Sequence, residues 1–116
     1  MIKTIFEKVN LTAPIEQRRF FNYFDDSVNE LCTMFGEKFV FDKDDAGKTK
    51  EYAPIKALGD ECAVLPLYCN AIVDNILFLS GAGDTYKSEF MRKAENAYLE
   101  YWRGNAKGRI MKRARM

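Results

Sequence analysis

The stretch from Asp60 to Trp102 constrains this chain most, because it reads as two helices joined by a tight glycine loop. The first helix carries Leu65, Tyr68, Ile72, Val73, Ile76, Leu77 and Leu79. It is apolar nearly all round, with a narrow polar strip at Asn70 and Asp74, and such a helix is central and covered on most sides. Either Asp60 caps it and Pro66 kinks it, or it starts near Leu65 with Pro66 in its first turn. Gly81 and Gly83 end it, and Asp84 or Thr85 caps the next. The second helix carries Tyr86, Phe90, Ala94, Ala97, Tyr98, Tyr101 and Trp102. Small Ala94 and Ala97 allow close approach to the central helix. Glu89 and Lys93 stand four apart and are expected to pair.

The preceding chain supplies the partners. Ile2, Ile5, Phe6 and Val9 predict a short helix that must dock to persist, broken at Asn10-Leu11. Thr12-Ala13-Pro14 is read as the start of a long helix, with Thr12 as its cap, running to about Phe35. Phe21, Phe24, Val28, Leu31 and Phe35 make its apolar face, which Phe20 and Cys32 widen. Gly36 is its stop. Phe39-Val40-Phe41 is β-prone and can pair with Glu51–Ile55 as a small hairpin, confined to an edge by Pro54. The polar stretch 42–50 between them is a loop or turn. The expected fold is therefore all-α in the main. It is a bundle of three to four helices with a short hairpin insert, followed by a flexible basic tail.

At 116 residues there is room for one core. The overall charge of +1 hides a segregation. Residues 1–102 carry 12 basic and 17 acidic side chains, a balance of −5. Residues 103–116 carry six basic side chains and no acidic one: Arg103, Lys107, Arg109, Lys112, Arg113 and Arg115. We therefore divide the chain into a helical domain, 1–102, and a basic tail, 103–116. A basic tail on an acidic body suggests an anionic partner, and a solvated end is the alternative. Trp102 and Arg103 put an aromatic beside the cations, a pairing suited both to gripping nucleic acid and to a protein–protein hot spot. Closing the edge of the core is the structural alternative for Trp102.

Several chemistries are disfavoured. With no histidine, Ser-His and Cys-His catalysis are impossible. The adjacent carboxylates Asp25-Asp26 and Asp44-Asp45 diverge or face water. No catalytic residue, cofactor or metal is expected. The three cysteines include no Cys-x-x-Cys pair, and an odd count suggests reduced thiols in a cytosolic setting. If helical, Cys62 and Cys69 stand about 10 Å apart along the axis, too far for a disulfide. Counting a calcium loop from Asp42 places Ala46 and Ala53 where oxygen ligands belong, so a solvated turn is the better reading. Ser80-Gly81-Ala82-Gly83-Asp84 lacks the lysine and spacing of a phosphate loop and reads as an interhelical turn. The N-terminus shows no signal peptide, and the most apolar window is broken by Pro66, Asn70, Asp74 and Asn75, against a membrane span.

The order of elements carries a resemblance. A short helix at 4–9 is followed by a long helix opened by Ala13-Pro14. A polar insert ends in Tyr52-Ala53-Pro54. Leu65-Pro66-Leu67-Tyr68 opens an apolar helix, and Gly83-Asp84 precedes a last helix with Tyr86, Phe90, Ala94 and Tyr98. This layout resembles the small helical head–tail connector (adaptor, or head-completion) proteins of long-tailed double-stranded DNA bacteriophages. The resemblance covers nearly the whole chain and is one of layout, with no single diagnostic motif.

It implies a structural virion protein, not an enzyme, at the head–tail interface and assembled in the host cytoplasm. Copies would form a ring under the portal protein, extend the DNA channel and dock an adjacent stopper or tail protein. DNA would pass through without sequence specificity. The segment matching the family's portal-binding end holds Trp102, Arg103, Lys107, Arg109, Ile110, Lys112, Arg113 and Arg115. The insert supplies a contact loop for a neighbour or the tail: Phe41, Asp42, Lys43, Asp44, Asp45 and Lys48. Two other classes fit the residues. One is a small nucleic-acid-binding accessory protein using the basic tail, and the other is a regulatory interaction domain of a mobile element.

Overall fold

Three apolar residues one turn apart, Ile2, Ile5 and Val9, bury one face of the first helix and so fix where the N-terminus docks. The computed structural model describes the backbone of residues 1–114 and the side chains of residues 1–104. The fold is mainly helical. The elements are α1 (Ile2–Thr12), α2 (Gln17–Phe35), α3 (Glu37–Val40), a 3-10 turn (Pro66–Tyr68), α4 (Cys69–Leu79) and α5 (Thr85–Ala114). No helix among the described residues is long and apolar enough to cross a membrane. The central element is α4, against which α1, α2 and α5 all pack.

The boundary between α1 and α2 differs from expectation. Thr12 closes α1 rather than opening α2, which begins at Gln17 with Glu16 in the cap position. The residue before a proline avoids the helical region, and Ala13 is extended (φ −143°, ψ 104°) ahead of Pro14. Asn10 then holds the connector. Its Nδ2 donates to the Phe6 carbonyl at 2.8 Å, and its Oδ1 accepts from the Ile15 amide at 3.0 Å. On α2, Phe20, Phe24, Val28 and Leu31 are buried, so Phe20 rather than Phe21 lies at the centre of the face. Gly36 stops the helix as expected, at φ 90°, where a side chain would be strained.

The next stretch corrects the reading further. Phe39 and Val40 form a single helical turn, α3, and no strand occurs among the described residues. Tertiary packing overrides β propensity here. The Phe39 ring lies 5.6 Å from Tyr98, 5.9 Å from Tyr101 and 5.3 Å from Trp102. The expected hairpin between 39–41 and 51–55 does not form. Phe41 instead forms an isolated antiparallel bridge to Val64, with Asp42 N–H donating to the Ala63 carbonyl at 2.7 Å. Residues 51–55 are tied to α2 by Asp25, whose Oδ1 accepts from the Tyr52 hydroxyl at 2.5 Å and from the Ile55 amide at 3.2 Å. The Tyr52 ring stacks on Phe41, with centroids 5.7 Å apart.

The helical hairpin follows the second of its two expected starts, with Pro66 in the first turn. Asp60 caps nothing in α4. Its Oδ2 accepts from the Lys56 and Ala57 amides and closes the turn before the 3-10 segment. Gly81 (φ 88°) makes the sharp exit from α4. Phe90, Ala94 and Ala97 of α5 are buried against α4. The expected break after Trp102 is absent, since α5 continues to Ala114 through Gly104. A Cβ placed on Gly104 would meet nothing within 4 Å, so that side of α5 faces solvent.

Asp25 thus anchors the insert from one oxygen. Asp25→Ala is expected to cost about 1–3 kcal/mol, and Tyr52→Phe about 1 kcal/mol, because the first strands two donors and the second removes one partner. Urea unfolding of the two variants, compared at equal slope, checks the order.

Candidate interaction surfaces

Two buried polar residues on α4 organise its contact with α2 and α5. The side chain of Asn75 is fully buried. Its Nδ2 donates to Ser27 Oγ at 2.8 Å and to Glu30 Oε2 at 3.3 Å, while its Oδ1 accepts from Lys87 Nζ at 3.2 Å. Ser27 Oγ donates onward to the Tyr23 carbonyl at 2.7 Å. Lys87 is ion-paired with Glu30 and lies over the Phe90 ring, 4.8 Å from its centroid. Six residues further along α5, Lys93 Nζ lies 2.6 Å from Oδ2 of the neighbouring Asp74, an ion pair off the line of a hydrogen bond. The expected Glu89–Lys93 pair is therefore replaced. Lys93 turns to the buried carboxylate, and Glu89 takes Arg92 instead, at 2.6 Å. A carboxylate removed from water gains more from a cation than an exposed one does.

This network consists of structural groups, and the sequence hinted at it only through polar letters in an apolar helix. Lys93→Ala leaves the Asp74 carboxylate buried and unpaired. It is expected to cost about 2–4 kcal/mol, more than Arg92→Ala, which breaks only an exposed pair. Thermal unfolding of the two variants decides this.

The second feature is aromatic. Phe35 stacks flat on Tyr98, with centroids 4.5 Å apart and planes 7° apart. Tyr98 is half-buried and, like Tyr101, packs edge-on against Phe39. Trp102 packs on Phe39 and yet remains 39% exposed. Leu99, on the same face of α5, is 48% exposed. Arg103 is exposed beside them. The side chains of Lys107, Arg109, Ile110, Lys112, Arg113 and Arg115 lie outside the described residues. Of the set that the resemblance implies for portal binding, only Trp102 and Arg103 are therefore placed by their side chains.

The insert is the third. Asp42, Lys43, Asp44, Asp45 and Lys48 are exposed. Phe41 is not part of that surface, because it is 5% exposed and belongs to the core. The loop is a turn built by its own side chain: Asp44 Oδ1 accepts from the Ala46 and Lys48 amides at 3.0 and 2.9 Å. A bridge between Lys43 and Thr49 closes it. An open cleft beside the loop is lined by Lys48, Lys50, Glu51, Glu61 and Cys62. No group of three or more metal-ligating side chains is found among the described residues.

All three thiols are free. Burial pushes each of them up, and for Cys32 burial first and then the Glu37 carboxylate raise the pKa from 9.0 to about 11. A thiol held neutral is a poor nucleophile at neutral pH. Burial likewise pushes the Tyr68 phenol up to about 12. Both groups stay protonated longer in the folded chain than in the unfolded one. Their contribution to stability is present below pH 9 and is lost as pH rises through about 9 to 12. The urea midpoint is expected to fall across that window, and to fall less between pH 9 and 11 in Cys32→Ser.

Compared with protein-family models, curated proteins and solved structures, the chain finds no match in any of the three.

Proposed function

We propose that the chain is a structural virion protein, a head–tail connector of the kind found in long-tailed double-stranded DNA bacteriophages. Copies assemble as a ring beneath the portal, extend the DNA channel and dock the next neck or tail protein. The observation that carries the reading is the presentation of α5. It runs from the core at Phe90 to Ala114 in one helix, and Trp102, Arg103 and Gly104 are exposed along it. A core helix that continues into the basic segment is suited to serve as a portal anchor.

In this reading the segment from Trp102 to Arg115 seats on the portal. The exposed loop of Asp42, Lys43, Asp44, Asp45 and Lys48 meets the neighbouring copy or the stopper protein. The body's charge of −5 suits a channel wall, since weak repulsion lets DNA slide without base contacts. No catalysis and no cofactor are assigned. The protein works at the head–tail interface and is assembled there from the host cytoplasm. The exposed Trp102 beside Arg103 favours a second reading, a nucleic-acid-binding accessory protein.

Mixing with the portal ring of the same genome, imaged by electron microscopy, separates the two. Full-length protein is expected to add a layer of matching symmetry, and protein truncated after Trp102 is expected to add none. If neither form binds and the full-length chain retards DNA at low salt, the accessory reading replaces the connector.

A further inference from the structure

Lys87, Asn75 and Glu30 come from three different helices and meet at one point. Lys87 Nζ donates to Asn75 Oδ1 at 3.2 Å, and the amide carbon lies one bond, about 1.2 Å, further on. Glu30 gives one oxygen to each of the two nitrogens. Its Oε1 accepts from Lys87 Nζ, and its Oε2 accepts from Asn75 Nδ2 at 3.3 Å. Ser27 Oγ also accepts from Nδ2, at 2.8 Å, so the amide is held in one orientation. Asn75 is fully buried. The lysine nitrogen stands 4.8 Å from the centroid of the buried Phe90 ring and 5.4 Å from that of Phe78. A primary amine, a carboxamide and a carboxylate that touches both are thus held together against an apolar wall.

We propose that Lys87 and Asn75 join in an isopeptide bond between α5 and α4, with Glu30 as the catalytic acid and base. A carboxylate in contact with an ammonium group is placed to take its proton and free the amine as a nucleophile. The amine attacks Asn75 Cγ. A turn of the last lysine torsions brings Nζ to the separation of a near-attack pair, about 3–3.5 Å. The Nζ–Cγ bond forms, and Oδ1 carries the charge of the tetrahedral intermediate. Glu30 passes the protons lost by Nζ to Nδ2 through its second oxygen. The Cγ–Nδ2 bond then breaks and ammonium leaves. A lysine ammonium and an asparagine amide become a secondary amide and an ammonium ion, so the step needs no oxidant and no activated donor. A carboxamide is a poor acceptor in water, but well-oriented groups within one molecule react at effective concentrations of about 10⁵–10⁸ M. The reaction occurs once per chain and ties the central helix to α5 across the glycine turn. It requires no portal and no partner, so it stands or falls apart from the connector reading.

The intact mass of the full-length protein, kept folded for several days and then denatured, reads the bond directly. It is expected to lie about 17 Da below the mass of the sequence, the loss of one ammonia. Trypsin is expected to spare Lys87, whose amine is no longer free, and to release residues 57–92 as a single light peptide. Glu30→Gln is expected to retain the fold, which circular dichroism checks, and to keep the full mass, because an amide does not carry the protons. Full mass in the unsubstituted protein overturns the proposal. So does the same loss with cleavage after Lys87 intact, which marks a succinimide at Asn75. Crosslinking that persists in folded Glu30→Gln overturns it as well.

Discussion

A fully buried amide on the central helix is the constraint on which the rest of the packing depends. Asn75 is sealed from water, so each of its polar atoms must find a partner inside the protein. Those partners come from two other helices: Ser27 and Glu30 on α2, and Lys87 on α5. Sliding any of the three helices by one turn would leave a buried amide, hydroxyl or charge unpaired, at a cost of kilocalories each. Apolar faces alone tolerate such slips, because one leucine-sized group replaces another at little penalty. The polar set at Asn75 thus selects one register, and the Lys93–Asp74 pair repeats the selection a turn and a half along α5.

Periodicity revealed most of the helices. The apolar run after Pro66, the Phe-rich face before Gly36 and the small-residue stripe of Ala94 and Ala97 all depend on local spacing, which a sequence displays directly. Boundaries set by side chains reaching across the chain were hidden. Asn10 holding Ile15 moved the start of α2, and Asp60 closing its own turn decided between the two expected starts of the central helix. The largest miss was at Phe39-Val40-Phe41. Its β-prone letters gave the wrong element because Phe39 is captured by aromatics that lie some sixty residues later. Asp25, more than twenty-five residues upstream, likewise took Tyr52 and Ile55 away from the hairpin that was expected to hold them.

The candidate surfaces were legible as composition and not as geometry. The charge contrast between the body and residues 103–116 is visible in the letters alone. Which loop residues face outward was not, and Phe41 turned inward. Trp102 packs on Phe39, as its structural reading had it, and is also 39% exposed. Leu99 was left out of the expected apolar face of the last helix, and it is indeed 48% exposed.

The contact between Phe39 and Trp102 also has a mechanical meaning. The short helix α3 is bounded by Gly36 on one side and by the Phe41–Val64 bridge on the other. Its one aromatic side chain packs on Tyr98, Tyr101 and Trp102 of α5. All three meet this one ring, so α3 is clamped to the 98–102 stretch of α5, and the exposed 42–48 loop starts two residues beyond the end of α3.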